Sequence, residues 1–241
     1  MIELDIQPVI FEHLGLIPYK IAWDYQESLL HKNVSIKTAA RLKSVDPKQT
    51  NTRHYLLLCV HPPVYTLGKG GNAANILLPV SILNQQGIEY FVTNRGGDIT
   101  FHGPGQIVGY PIFDLEKFYT DIGKYLRNLE EVIIKTIGAY GLKGERSKGE
   151  TGVWLDAGIA GKERKICAIG VRCSRWVTMH GFALNVKTDL NYFNNIVPCG
   201  IVGKKVTSLQ NECEQIVSMD EVTEKIKQNF ELVFGVEFKK L

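Results

Sequence analysis

Apolar positions along this chain recur with two spacings, and the predicted elements alternate accordingly. From Ile17 to Leu30, Ile21, Tyr25 and Leu29 fall every fourth residue behind Pro18, which suits a first turn, so a helix is predicted. Tyr55 to Val60 is an unbroken apolar run of strand length, stopped by Pro62 and Pro63 after His61. Pro79 to Gln86 reads as a short helix ended by Gly87, and Glu89 to Thr93 as a strand. Ile122 to Tyr140 carries an apolar stripe of Leu129, Ile133 and Ile137 and predicts an amphipathic helix that stops at Gly141. Gly144 to Glu150 is polar and predicts a mobile loop. Strands follow at Gly152–Leu155, Lys165–Arg172 and Trp176–Val186. Ser218 with Glu221 forms a capping box for a last helix with Val222, Ile226, Phe230 and Val233 on one face.

Between the Glu89 strand and a second apolar run, Ile107 to Phe113, lies Arg95-Gly-Gly-Asp-Ile-Thr-Phe-His-Gly-Pro-Gly-Gln106. Four glycines and a proline among polar residues cannot be a core element. Glycine lets a ligand approach the backbone closely, so two strands presenting this segment make a binding loop carrying Arg95 and His102. The alternative is an ordinary glycine-rich hairpin. Strands interleaved with a few helices predict an α/β (α+β) fold in one domain, residues 1–241, with a small strand-helix piece, 207–241, appended at its C-terminal end.

Composition narrows the function classes. The 241 residues, 44% hydrophobic and 22% charged, suit a globular chain with a sizeable core. A net charge of +3, from 28 basic and 25 acidic residues, lacks the basic excess expected for nucleic acid. Modest basic clusters at Lys143–Lys148 and Lys162–Lys165 read as solvated loops, or as steering for an acidic protein. No apolar run reaches the ~20 residues that span a bilayer, and Met1-Ile2-Glu3-Leu4-Asp5 is acidic where a secretory signal needs lysine or arginine, so no membrane association and a cytoplasmic location are expected.

Five cysteines, Cys59, Cys167, Cys173, Cys199 and Cys213, form no CxxC pair and leave one over, which supports neither a structural zinc nor a disulfide framework. No histidine spacing suggests a metal. Cys199, between Pro198 and Gly200, is the cysteine taken out of regular structure and is the candidate nucleophile; the other reading is a packed or merely exposed thiol. A thiol attacks as its thiolate and needs a nearby cation or base, which could be His102, His180 or a lysine. Lys165 opens an apolar strand, a place where lysine is ordinarily a solvated edge residue. If residues 165–171 alternate regularly, Cys167 shares a face with Lys165 and rivals Cys199 as nucleophile.

The glycine loop resembles that of the lipoyl(octanoyl) transferases, the octanoyl-acyl carrier protein:protein N-octanoyltransferase family. So do His61-Pro-Pro-Val-Tyr-Thr-Leu-Gly68, Lys165-Ile-Cys-Ala-Ile-Gly-Val-Arg172, His180-Gly-Phe-Ala-Leu-Asn185 and Val197-Pro-Cys-Gly-Ile201. These segments fall in the family's order and cover roughly residues 20 to 210. Phe101 departs mildly from the pattern, standing where tyrosine is more usual.

The resemblance implies a mixed sheet flanked by helices, similar to the biotin protein ligase catalytic domain. It implies an ATP-independent acyltransferase that needs no cofactor. Cys199 matches the family nucleophile, which takes octanoate from octanoyl-acyl carrier protein as a thioester. Lys165 matches the lysine that lowers its pKa. The family's substrate-binding positions map onto Arg95, Gly96, Gly97, Asp98, Ile99, Thr100, Phe101 and His102, onto Ala168, Ile169 and Gly170, and onto Gly181, Phe182 and Ala183. The implied acceptors are apo lipoyl domains of 2-oxoacid dehydrogenases and the glycine-cleavage H protein, and the simplest assembly is a monomer. Two other readings remain open from sequence: an ATP-dependent lipoate or biotin ligase on the same fold, separable by omitting ATP, and a non-catalytic acyl-binding module indifferent to Cys199→Ser.

Overall fold

The computed structural model describes residues 6–197 and 205–239. A nine-stranded mixed sheet forms its centre. Strand β1 (Gln7–Leu16), helix α1 (Tyr19–Leu42) and strand β2 (His54–Val60) make a β-α-β unit, with β1 and β2 parallel. Antiparallel neighbours extend the sheet through β6 (Gln106–Ile112), β10 (Val177–Asn185), β9 (Arg164–Ser174), β8 (Glu150–Leu155) and β7 (Glu145–Ser147). Two short strands add parallel partners: β11 (Lys205–Val206) beside β9, and β12 (Val236–Lys239) beside β1. A second sheet of three strands places β3 (Val64–Leu67) between β4 (Glu89–Val92) and β5 (Ile99–His102).

Helices cover both faces of the large sheet. On one face α3 (Ile122–Gly138) and α5 (Met219–Phe234) bury Leu129, Ile133, Ile137, Val222, Ile226 and Phe230 against Leu56, Leu58, Phe182 and Leu184. Asp121 and Ser218 cap the two helices by accepting from Lys124 N and Glu221 N, and Gly235 at φ 64° ends the second, a left-handed stop that glycine adopts without strain. On the opposite face α1 packs Ala22, Leu29 and Leu30 on Leu57, Val108, Tyr110 and Met179. A third cluster, under the small sheet and helix α2 (Val80–Gln85), joins Tyr65, Leu83, Ile99, Phe101, Phe193 and Ile196. A four-residue helix, α4 (Leu209–Glu212), precedes α5 and contributes the buried Leu209.

The predicted helices and strands are present, with informative differences. Helix α1 continues twelve residues past Leu30, because its lower half buries polar groups: Asn33 donates to Arg53 O at 2.7 Å, and Lys37 pairs with Asp114 and, at 2.7 Å, with Glu116. The polar stretch expected to be a mobile loop is instead a hairpin from β7 into β8, pinned by Arg146, which reaches Glu130 at 3.0 Å and Glu131 at 2.7 Å. The glycine segment is half strand: its second part is β5. In the last helix Val233 is half-buried while Phe234 completes the core. No described helix is long and apolar enough to cross a membrane.

Candidate active site

The glycine segment folds back on β9. Gly96 N donates to Val171 O at 2.9 Å, and Gly170 faces the turn so closely that a Cβ there would lie 2.6 Å from Gly96 O. Only glycine permits that approach. On the next strand Gly181 pairs with Gly170, which thins the sheet where the loop meets it. A cavity of about 600 Å³ opens between these segments, within the size range of ligand pockets. Its walls bring together most of the sequence-predicted positions: Arg95 to Thr100, His102, Lys165, Ala168 to Gly170, and Gly181 to Ala183. Ile122 and Leu126 of α3 add apolar wall beside Ile169 and Phe182.

Phe101 stands apart from this set. Alternation along β5 turns its ring away from the cavity into the third cluster, where it stacks on Tyr192 at 4.4 Å between centroids. Cys199 lies outside the described residues.

A buried hydrogen-bond chain holds the polar wall. Arg95 donates through Nη2 to Thr66 O at 2.5 Å and to Thr66 Oγ1 at 3.0 Å; the same hydroxyl lies 3.2 Å from His102 Nε2. His102 Nδ1 lies 2.8 Å from Gln106 Oε1, and Gln106 Nε2 donates to Phe101 O and to Asn185 Oδ1. Because the Gln106 amide nitrogen is committed to those acceptors, its oxygen must accept, and the network assigns the proton of His102 to Nδ1. Burial holds the His102 pKa well below the ordinary imidazole value, with His61 and Arg95 adding like-charge repulsion. A neutral ring with both nitrogens engaged orients the wall and has no free site for a proton.

Two further histidines are fixed the same way. His61 Nε2 lies 2.7 Å from Tyr110 Oη, and burial lowers its pKa to about 4. His180 adopts a left-handed φ of 57° in β10, sparsely populated for a residue with a Cβ, and its Nε2 meets Asn94 Oδ1 at 2.7 Å. Asn94 Nδ2 donates to Glu27, so its oxygen accepts from His180 Nε2–H; burial, first, and Arg95 and Arg172 lower the His180 pKa to about 3. Neither is a cationic partner for a thiolate at neutral pH.

Lys165 joins Arg95 as a cation in the wall. It is 8% exposed, and its Nζ lies 4.6 Å from the centroid of the Trp154 ring, which is 2% exposed. Cys167 is not beside it. In the β8–β9 register Lys165 opposes Trp154 but Cys167 opposes Val153, so Ile166 is one extra residue in β9. That bulge sends Ile166 and Cys167 into the core with Val153, on the face away from Lys165. The expectation of a shared face fails because the strand does not alternate regularly there. Burial also raises the Cys167 thiol pKa far above the ordinary range, so it is a packed thiol and no rival nucleophile.

Sequence reasoning missed Tyr19, Thr66, Tyr110, Trp154 and Asn185 as parts of the site. Trp154 had a legible signal, a large aromatic two positions after a glycine in the strand that had to neighbour Lys165. Thr66 stands inside the His61–Gly68 segment, but its role appears only when β3 and β5 pair. Among the described residues no group of histidine, cysteine and carboxylate side chains is placed to hold a metal ion.

The lipoyl protein ligase A/B catalytic domain family matches residues 18–231. The chain is 55% identical over 228 residues to the octanoyltransferase of Christiangramia forsetii, covering 94% of this chain and 96% of that one. It is 55% identical over 224 residues to the octanoyltransferase of Flavobacterium psychrophilum, with coverages of 92% and 95%. A bipartite lipoate protein ligase from Thermoplasma acidophilum shares the fold, with a TM-score of 0.68 at 17% identity over 98% of this chain and 86% of that one. The chain therefore belongs to the lipoyl protein ligase A/B catalytic domain family and, within it, to the octanoyltransferases.

Proposed function

We propose that this protein transfers an octanoyl group from octanoyl-acyl carrier protein to a specific lysine of apo lipoyl domains, through a thioester on Cys199. The observation that carries the reading is Lys165, a buried lysine in the wall of a largely apolar, glycine-lined cavity, in a chain whose relatives are octanoyltransferases.

In the first step the Cys199 thiolate attacks the donor thioester carbonyl; the carrier's thiolate leaves and takes a proton. In the second the acceptor amine attacks the enzyme thioester, an amide forms, and Cys199 is released. Thioester exchange followed by amide formation needs no ATP. An ammonium at Lys165 favours the thiolate by charge pairing, and the neutral amine can take the proton of the attacking amine. Val108, Ile122, Leu126, Ile169 and Phe182 give the cavity an apolar side, which suits an alkyl chain. The acceptor class follows from relatives that act in lipoylation, and the reaction suits the cytoplasm, where acyl carriers and lipoyl domains meet.

Intact-mass spectrometry after mixing with octanoyl-acyl carrier protein, without ATP, tests this directly. An octanoyl-sized gain that maps to Cys199, is absent in Cys199→Ala and discharges onto an apo lipoyl domain is expected. Acyl modification that appears only with ATP and free acid would make the protein a ligase instead.

A further inference from the structure

We propose that Trp154 is the positioning residue for Lys165, with its indole face fixing where the ammonium stands in the cavity wall. This rests on the assignment of Lys165 to the acyl-transfer pair and goes beyond it by naming what holds the lysine in place.

The slot that holds Lys165 is built from two same-face positions of β8. Gly152 is the first: a Cβ there would lie 3.5 Å from Lys165 Cε, 3.7 Å from Cδ and 2.6 Å from Cys167 O. The lysine stem therefore runs along bare backbone, over a residue whose φ of 129° excludes any side chain in comfort. Trp154 is the second, opposite Lys165 in the strand register, and its ring receives the ammonium at 4.6 Å. The bulge at Ile166 makes this pairing possible, because without it Lys165 would face the other side of the sheet. From behind, Glu130 fixes the slot: Oε1 accepts from Gly152 N at 3.1 Å, while Oε2 meets Arg127 at 2.8 Å and Arg146 at 3.0 Å.

Lysine has a flexible four-carbon stem and a compact charge, so a buried ammonium wanders unless something attracts it in one direction. The negative face of an indole does so without neutralising the charge, as a carboxylate would. The ammonium so placed keeps its charge, and in the first step its proton can pass to the carrier thiolate that leaves, which yields the neutral amine needed in the second.

The test replaces Trp154 alone, among the three tryptophans, with ring-fluorinated tryptophans carrying increasing numbers of fluorines. Fluorination drains the ring's negative face and leaves its size nearly unchanged, so packing is preserved while the attraction fades. The pH dependence of Cys199 alkylation, read by peptide mapping, and the single-turnover rate of octanoyl transfer are measured across the series, with Lys165→Ala as reference. The alkylation midpoint should climb with each fluorine toward the Lys165→Ala value, by roughly half to one pH unit at full substitution, with the transfer rate falling in step. A midpoint and rate unchanged across the series, while Lys165→Ala shifts both, would overturn the role of Trp154 and leave Lys165 in its place. No shift in Lys165→Ala itself would remove the underlying assignment and this inference with it.

Discussion

His102 and Gln106, four residues apart across the Gly-Pro-Gly turn, are locked together by a 2.8 Å hydrogen bond from His102 Nδ1 to Gln106 Oε1. Gln106 spends its amide nitrogen on Phe101 O and Asn185 Oδ1, so one side chain fixes the tautomer of the histidine and ties the turn to β10. Gln106→Leu leaves three buried polar partners unsatisfied. It should lower unfolding free energy by about 3 kcal/mol, read from denaturant midpoints, and reduce octanoyl transfer more than tenfold. A variant of native stability would show that the network re-forms without it.

Acid should unfold the protein before its carboxylates are fully protonated. His54 and His61 have folded pKa values near 4, and His180 near 3, each lowered chiefly by burial from the ordinary 6.5. The unfolded chain takes protons on these rings as pH falls through 6.5 while the folded chain does not, so their contribution is present above 6.5 and lost progressively down to about 4. Each accounts for about 3 kcal/mol across that window. Denaturant midpoints at pH 7, 6, 5 and 4 check the slope; a flat profile above pH 5 would contradict the buried neutral rings.

Cys167→Ala should keep octanoyl transfer within about twofold of the parent and cost about 1 kcal/mol of stability, since it removes one small buried group from the core. Loss of the acyl adduct in this variant, measured by intact mass, would return Cys167 to candidacy.

Glu130→Ala should loosen the hairpin beside the cavity. It removes the acceptor of Gly152 N and the anchor shared by Arg127 and Arg146. Hydrogen exchange at the Gly152 amide should accelerate about tenfold or more, with global stability down by about 2 kcal/mol. Unchanged protection of that amide would mean the hairpin is held by strand pairing alone.

The legible elements were those whose side chains announce their period. Leu129, Ile133 and Ile137 declare α3, and Leu56, Leu57 and Leu58 declare β2, because burial there depends on apolar content alone. Strand β1 was missed because Glu12 and His13 interrupt its apolar residues, and β3 because four residues behind two prolines give no period to read. The lower half of α1 was missed because Asn33 and Lys37 are buried by partners some 20 and 77 residues away. For the site, ordered motifs pointed to Arg95, His102, Lys165 and the small residues of β9 and β10, which line one cavity. What Thr66 and Asn185 do there was hidden, because both act through contacts that exist only after the strands pair.

The additional residue at Ile166 works as a phase shift in the strand. Upstream and downstream of it, odd and even positions exchange faces, so a cation and a packed thiol two residues apart never share surroundings. Parity of this kind changes by insertion or deletion, not by substitution. Point changes can therefore alter how well Lys165 is seated, but shortening β9 by a single residue would exchange which side chains it offers to the cavity and to the core.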